Sequence, residues 1–372
     1  MSASDHSPPA LHDLLDQRLP HVRVTQALLA ANILVFLATL ASGAGLWHSS
    51  NAVQLAWGAN FGPATQDGQW WRLGSALFLH FGILHLALNM WALWDGGQLV
   101  ERMYGPLRFA AIYFGSGLCG NLLSLVTHGG QAVSGGASGA IFGVYGALLV
   151  FLWQARRALH PHEFRWLFWG ALGFSAATIA FGLLVTGIDN AAHVGGLATG
   201  LCGGTLLLRR FDAEPPLPRA RRLLAGSALL GALALLVTHL PEPAYRWRDE
   251  VQAQREIVRF LRDDREISRT WQRLINEGQQ RGASFDELAG RIDDAVGNRY
   301  DESFEQLAQL PGDSALPSAA TVERLRDYAQ ARRDASRELA DGLRAHDAAQ
   351  IRAALEKARR ARQVAPDVPE KR

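Results

Sequence analysis

Lysine is nearly missing from this chain of 372 residues: of its 37 Lys and Arg residues, only Lys357 and Lys371 are lysine. Cysteine is as scarce. Cys119 and Cys202 both lie in apolar stretches, where a cysteine is more often a small buried hydrophobe than a metal ligand or half of a disulfide, so no disulfide framework is expected. Net charge is close to absent as well, at +2, which leaves no electrostatic footprint for nucleic acid. The first twenty residues lack a basic start followed by a short apolar core. They carry Asp5, Pro8, Pro9, Asp13 and Asp16 instead, which argues against a cleavable signal peptide or an Arg-rich transit sequence.

What is present is unevenly spread. The chain is 48% hydrophobic as a whole, but Met1 to Leu240 holds 13 Lys and Arg with 10 Asp and Glu, whereas Pro241 to Arg372 holds 24 and 25. The first region suits lipid and the second suits water. A helix needs about 20 apolar residues to cross the hydrocarbon core. Seven stretches meet or approach that length: Val24 to Leu46, Gly74 to Trp94, Leu107 to Val126, Ala137 to Trp153, Arg165 to Thr186, Ala191 to Leu208 and Leu223 to Leu240. The fourth and sixth are the least apolar, and their small and polar faces predict places in the middle of a bundle.

Arginine gives the orientation. Short segments on one side hold Arg18, Arg23, Arg102, Arg108, Arg156, Arg157, Arg165, Arg209, Arg210, Arg219, Arg221 and Arg222, and those on the other side, up to the seventh stretch, hold only Arg72. The positive-inside rule then predicts a cytoplasmic N-terminus and a non-cytoplasmic tail. The preference for arginine over lysine points to a GC-rich bacterial genome and a cytoplasmic membrane. In the tail, Ile257, Leu261, Ile267, Trp271 and Leu274 approximate a helical stripe, and Ser284 to Glu287 and Asp347 to Gln350 have the spacing of capping boxes. Leu310 to Pro317 reads as a linker, and Ala365 to Arg372 as a disordered end. Several amphipathic helices with a thin apolar face are expected there, with a protein partner as their possible use and no catalytic motif.

Three separated pieces carry chemistry. His85 and Asn89, four residues apart, share one face of the second helix. Ser138 opens the fourth helix within Gly135-Gly-Ala-Ser-Gly139, where unpaired N–H groups and the helix dipole favour a developing oxyanion. His193 opens the sixth and shares a face with Gly196, Gly200 and Gly204, a small-xxx-small pattern that seats one helix against another. Each piece alone has a structural explanation. Together they are costly polar groups in lipid, which are usually functional.

The set resembles the rhomboid family of intramembrane serine proteases. The matching residues are Trp71-Arg72, His80, His85-x-x-x-Asn89, Glu101-x-x-x-Gly105, Gly136-x-Ser138-Gly139 and Ala192-His193-x-x-Gly196-x-x-x-Gly200. The resemblance spans about Val24 to Leu208. It implies Ser138 as nucleophile and His193 as general base, with His85 and Asn89 helping the Ser138 N–H to hold the oxyanion. Phe142 stands where some relatives have tyrosine, with its ring able to pack beside His193, and His80 takes a structural part in its loop. Asp189 and Asn190 are read as turn or cap residues, not as a third catalytic member.

The expectation is therefore an all-α, polytopic membrane bundle. It comprises a cytoplasmic tail over 1–23, a six-helix rhomboid-like core over 24–208, a cytoplasmic loop and seventh transmembrane helix over 209–240, and a helical extramembrane tail over 241–372. The expected partners are the lipid bilayer and transmembrane protein substrates, whose peptide bonds would be hydrolysed in or near their spans. No cofactor and no metal is called for, and His160-Pro-His162 is read as a solvated turn. A catalytically silent rhomboid-like factor that binds membrane proteins is the main alternative, and a transporter or channel the next.

Overall fold

The computed structural model describes residues 11–129, 132–209, 217–280 and 284–363. Among them all regular structure is helical, with one isolated antiparallel bridge between Asn60 and Ser134. The chain divides into two compact units, Met1–Pro243 and Ala244–Arg372.

In the first unit, α1 (Leu11–Arg18) and α2 (Arg23–Ala41) are followed by short α3 (Asn51–Ala56), α4 (Gly62–Gln66) and α5 (Arg72–Ser75), and by a 3-10 turn, Ala76–Phe78. Six long helices come next: α6 (Ile83–Tyr104), α7 (Pro106–His128), α8 (Ser138–Ala155), α9 (Pro161–Leu184), α10 (Asn190–Leu207) and α11 (Arg219–Thr238). Helices α2, α7, α8, α9 and α11 are each long and apolar enough to cross a membrane. The segment Arg72–Phe78 and α6 add a sixth crossing if taken as one broken span. With Asn190, His193 and five glycines in its 18 residues, α10 lies outside that composition.

Local chemistry sets the helix ends. Pro106 and Pro161 occupy the first turns of α7 and α9, where an absent N–H leaves nothing unpaired. Gly105 turns the chain between α6 and α7 at φ 85°, a conformation that disfavours any side chain. The buried Glu101 carboxylate, in the last turns of α6, accepts the N–H groups of Val24 (3.0 Å) and Thr25 (2.7 Å) and the Thr25 hydroxyl (2.7 Å). Two of the four unpaired donors at the start of α2 are thereby satisfied inside the protein.

Helix α8 is the axis of the unit. Seventy-eight percent of it is buried, against 11% of the apolar stretch of α9 and none of that of α11. Helix α10 lies along it, backbone to backbone. A Cβ at Gly196 would collide with the carbonyl oxygen of Gly139, one at Gly200 with that of Gly143, and one at Gly204 would stand 2.8 Å from Ala147 Cα. The expected central place holds for α8, and α10 is enclosed by α8 along its glycine seam and by α7 at Gly195 and Ala192, with Val194 and Leu201 exposed on its remaining face.

One expectation about this unit changes. The apolar run from Gly74 to Trp94 is not one helix: it is broken between Phe78 and Ile83, with a bend of 92°. The cause is long-range, since Gly82 passes so close to the backbone of Trp47 that a Cβ there would collide with its carbonyl oxygen. Within the expected N-terminal tail, 11–18 form α1. Leu11 and Leu15 are buried in the same apolar core as Leu93, Val100 and Phe109, and Asp16 pairs with Arg102 at 2.8 Å.

The second unit contains α12 (Trp247–Gln280), α13 (Phe285–Ile292), a π-helical turn (Asp293–Gly297), α14 (Asn298–Ala308), α15 (Ala319–Arg344) and α16 (Ala348–Gln363). A thin apolar face was the expectation for this region, but the helices close over a true core that includes Ile257, Phe260, Ile267, Ile292, Tyr300, Leu325 and Leu339. Three long-range packing partners are needed to see it, because each helix alone is only amphipathic. Inside it, Arg332 is buried between the rings of Trp271 and Tyr300, 5.3 Å from each, and donates to the Tyr300 hydroxyl at 3.2 Å. Asp264 accepts from the hydroxyls of Tyr300 (2.7 Å) and Tyr328 (3.0 Å). Ser284 and Asp347 accept backbone N–H groups of the helices they precede. The segment 365–372, expected to be disordered, lies outside the described residues.

Candidate active site

Ser138 is the first residue of α8 and partly exposed, whereas His193, in the first turn of α10, is buried. The two side chains meet: His193 Nε2 stands 2.9 Å from Ser138 Oγ, a hydrogen-bond distance, although 55 residues separate them. The glycine seam brings this about. Gly196 seated on Gly139 fixes the first turns of both helices side by side, so their leading polar residues face each other.

One turn along α8, the Phe142 ring stacks on the His193 imidazole, with centroids 4.4 Å apart and planes 11° from parallel. That contact fixes the plane of the imidazole. His193 Nδ1 makes no hydrogen bond among the described residues. Asp189 does not supply one. Its Oδ1 caps α10 by accepting from Ala192 N (2.9 Å), and its Oδ2 accepts from the hydroxyls of Ser124 (2.6 Å) and Ser134 (2.5 Å). Asn190 donates to the carbonyl of Ile179 at 3.0 Å. The structure thus places both residues in structural bonds, with the imidazole oriented by a ring face.

Ahead of Ser138, the loop is pinned to its surroundings. Ser134 and Asn60 exchange two backbone hydrogen bonds (2.8 and 2.9 Å), and Gly136 N donates to Ala76 O at 2.9 Å. Gly136 has φ 148°, and a Cβ on it would lie 2.9 Å from the His85 ring. Only glycine lets that ring lie against the loop. His85 also meets His80 edge to face, with centroids 5.0 Å apart. Asn89 is buried one turn along α6, and its Nδ2 donates one hydrogen to His85 O at 2.9 Å. Ser138, His193 and His85 are therefore gathered around one loop, with Asn89 behind His85 on the same helix face. The first N–H groups of α8, including that of Ser138, have no partner within the helix, and the dipole adds partial positive charge there.

The residues that frame this site were only partly visible in advance. Arg72 is buried and donates to Gln69 Oε1 (2.7 Å), Leu55 O (2.8 Å) and Ala59 O (3.1 Å), fixing the loop between α2 and α6. Gln54 donates to His80 O at 3.0 Å, which keeps His80 in that same framework. Asn121 on α7 donates to Leu73 O (2.8 Å), and Asn60 donates to Asn121 O (3.0 Å). A polar residue such as Asn121 within an apolar run was the available signal. No group of three metal-binding side chains occurs among the described residues, and His160 Nδ1 accepts the N–H of His162 in an exposed turn.

Comparison with known proteins agrees with this arrangement in extent. A rhomboid domain model matches residues 67–210. Rhomboid protease GluP of Bacillus subtilis (strain 168) is 32% identical over 289 residues, which are 76% of this chain and 53% of that protein. The mitochondrial RHOMBOID-like protein 6 of Arabidopsis thaliana is 36% identical over 44% of this chain and 52% of its own length. The chain thus spans about half the length of these two relatives. It covers more of the rhomboid-family protein YdcA of Bacillus subtilis, 35% identical over 48% of this chain and 82% of that one. With that coverage, the helices of the first unit and the matched domain that contains Ser138 and His193, the chain belongs to the rhomboid family of multi-pass integral membrane proteins.

Proposed function

We propose that this protein is an intramembrane serine endopeptidase that hydrolyses peptide bonds in or near the transmembrane segments of other membrane proteins. The observation that carries the reading is the 2.9 Å approach of His193 Nε2 to Ser138 Oγ at the mouths of two helices locked by glycine. Ser138 Oγ attacks the scissile carbonyl carbon while His193 Nε2 takes its proton. The resulting oxyanion is held by the Ser138 N–H at the α8 N-terminus, with His85 and Asn89 as further donors. His193 then gives the proton to the leaving amine, and water repeats the sequence on the acyl-enzyme. As the imidazolium forms, the Phe142 face beneath it supplies the attraction of a ring quadrupole for a cation.

The substrate is a membrane protein whose helix unwinds locally, because a peptide bond in an intact helix is shielded from a nucleophile. Seven crossings, a cytoplasmic N-terminus and a tail on the opposite face follow from the arginine bias and from α10 and α11 each counting as a span. Covalent labelling by a fluorophosphonate is the test. Wild type should label, and Ser138→Ala and His193→Ala should not, while both variants keep the wild-type thermal midpoint in detergent. Labelling that persists in Ser138→Ala, or a wild type that never labels, overturns the assignment and leaves a silent membrane-protein binding factor. Alkaline phosphatase fused after Arg372 should be active in a bacterial host, and an inactive fusion would reverse the topology.

A further inference from the structure

We infer that Asp189 is a positioning residue that sets the spacing of Ser138 and His193 through a strut to Ser134, an assignment resting on the proposed peptidase reading. The geometry is a second tie parallel to the first. Ser134 is four residues before Ser138, Asp189 is four residues before His193, and each pair is joined by one short hydrogen bond across 55 residues of sequence. The Ser134 hydroxyl donates to Asp189 Oδ2 at 2.5 Å, and the Ser138 and His193 side chains meet at 2.9 Å. The glycine seam sets how α8 and α10 lie, and two cross-links a few residues apart hold the segments that enter them in register.

Asp189 also reaches beyond the pair. Its Oδ1 accepts Ala192 N, the N–H immediately before His193, so the carboxylate holds the first turn of α10 directly. Its Oδ2 accepts from Ser124 on α7 as well as from Ser134. Ser134 in turn is paired through its backbone with Asn60, and Asn60 is tied to Asn121 of α7. One carboxylate therefore joins α7, the loop leading into α8, and the start of α10. A carboxylate that accepts three hydrogen bonds has little freedom to turn toward His193 Nδ1, which accounts for that nitrogen having no acidic partner among the described residues. Charge-assisted bonds of this kind are roughly twice as strong as neutral ones, which suits a group that must hold a reactive pair in register. The remaining freedom in the dyad matters because a misplacement of about 1 Å can cost 10²-fold in rate.

Three variants separate positioning from mere stability. Ser134→Ala removes the strut and leaves the α10 cap. Asp189→Ser keeps a capping oxygen but is too short to hold both partner hydroxyls. Asp189→Asn keeps the cap and can still bond a serine hydroxyl, as donor instead of acceptor. With a purified model transmembrane substrate, Ser134→Ala and Asp189→Ser should lower kcat by roughly 10-fold to 10²-fold with KM nearly unchanged, since only the reacting geometry is disturbed. Asp189→Asn should recover much of the loss. Hydrogen exchange of 190–196 should rise in Ser134→Ala and Asp189→Ser while the thermal midpoint in detergent stays close to wild type. Wild-type kcat together with unchanged exchange in Ser134→Ala would overturn the strut. A loss of kcat matched by a general fall in thermal midpoint, with no rescue by Asn, would reduce Asp189 to a fold-stabilising residue. A wild type that neither cleaves nor labels would sink the peptidase reading instead, and the exchange measurement would still decide the strut.

Discussion

The two units keep their polar groups in order by opposite means. In the first, the decisive contacts are between backbones: Gly196, Gly200 and Gly204 carry no side chain, and any side chain there meets a carbonyl or an α-carbon of α8. In the second, contacts are made by the largest side chains available, with Arg332, Trp271, Tyr300, Tyr328 and Asp264 forming one interior assembly. Its surface is laced with ion pairs such as Arg337–Asp301 and Arg291–Glu277. The difference follows composition, since the described helices long and apolar enough to cross a membrane all lie in the first unit. Lipid gives helices no hydrophobic reason to associate, so close packing and a few hydrogen bonds must do it. Water supplies that reason, and large side chains exploit it.

The comparison breaks most sharply at Gly196. Gly196→Leu should separate α10 from α8, abolish fluorophosphonate labelling of Ser138 and lower the thermal midpoint in detergent together, because the carbonyl of Gly139 cannot yield to a side chain. A stable, active Gly196→Leu protein would show that the helices are held elsewhere. In the second unit the equivalent blow is to a side chain. Asp264→Ala leaves the hydroxyls of Tyr300 and Tyr328 without their acceptor and should cost about 1–3 kcal/mol in denaturant unfolding of that unit. Labelling of Ser138 should not change.

The same assembly has a pH signature. Burial, foremost, raises the Tyr300 hydroxyl above its ordinary range, helped by Asp264 and opposed by Arg332, and burial likewise raises Tyr328, helped by Tyr300 and Asp264. Folded tyrosines that hold their protons more tightly than unfolded ones stabilise the unit fully below the unfolded value of about 10 and lose that contribution as pH climbs toward the folded value. Tyrosinate absorbance should therefore appear late and together with unfolding; early, reversible ionisation of both rings in the folded protein would refute it. The smallest effect has the opposite sign. Gly290, within α13, faces open space, so Gly290→Ala should stabilise the second unit by about 0.5–1 kcal/mol. A destabilised Gly290→Ala would mean that the second unit too relies on a close backbone approach.

Much of the site was legible in the sequence because its elements carry local signatures. The serine within glycines, the histidine leading a small-xxx-small face and the His85–Asn89 spacing each depend on a few neighbouring residues. The ring stacked on His193 could also be anticipated, since Phe142 is one turn from Ser138. What stayed hidden depends on segments far apart in the chain. The 92° break before α6 falls at Leu79-His-Phe-Gly82, and its close approach, Gly82 meeting the backbone of Trp47, lies 35 residues away in the chain. The core of the second unit needs α12, α13, α14 and α15 at once, and the Asp264 bonds reach across 36 and 64 residues. Ser124 and Ser134 look like ordinary small polar residues until Asp189 is seen between them.

The stacking of Phe142 on His193 has a consequence for where the imidazole keeps its single hydrogen. A ring face fixes a plane and is indifferent to which nitrogen is protonated, and Nδ1 has no hydrogen-bond partner among the described residues to choose for it. Ser138 is the imidazole's hydrogen-bond partner among the described residues, and the two positions are coupled: when the hydroxyl donates to Nε2, the imidazole hydrogen lies on Nδ1. The hydroxyl and the imidazole thus constrain each other's hydrogen positions. Ser138→Ala would remove that coupling and shift the tautomer balance of the imidazole, a change that nitrogen NMR of labelled His193 would record in a protein whose fold is otherwise intact.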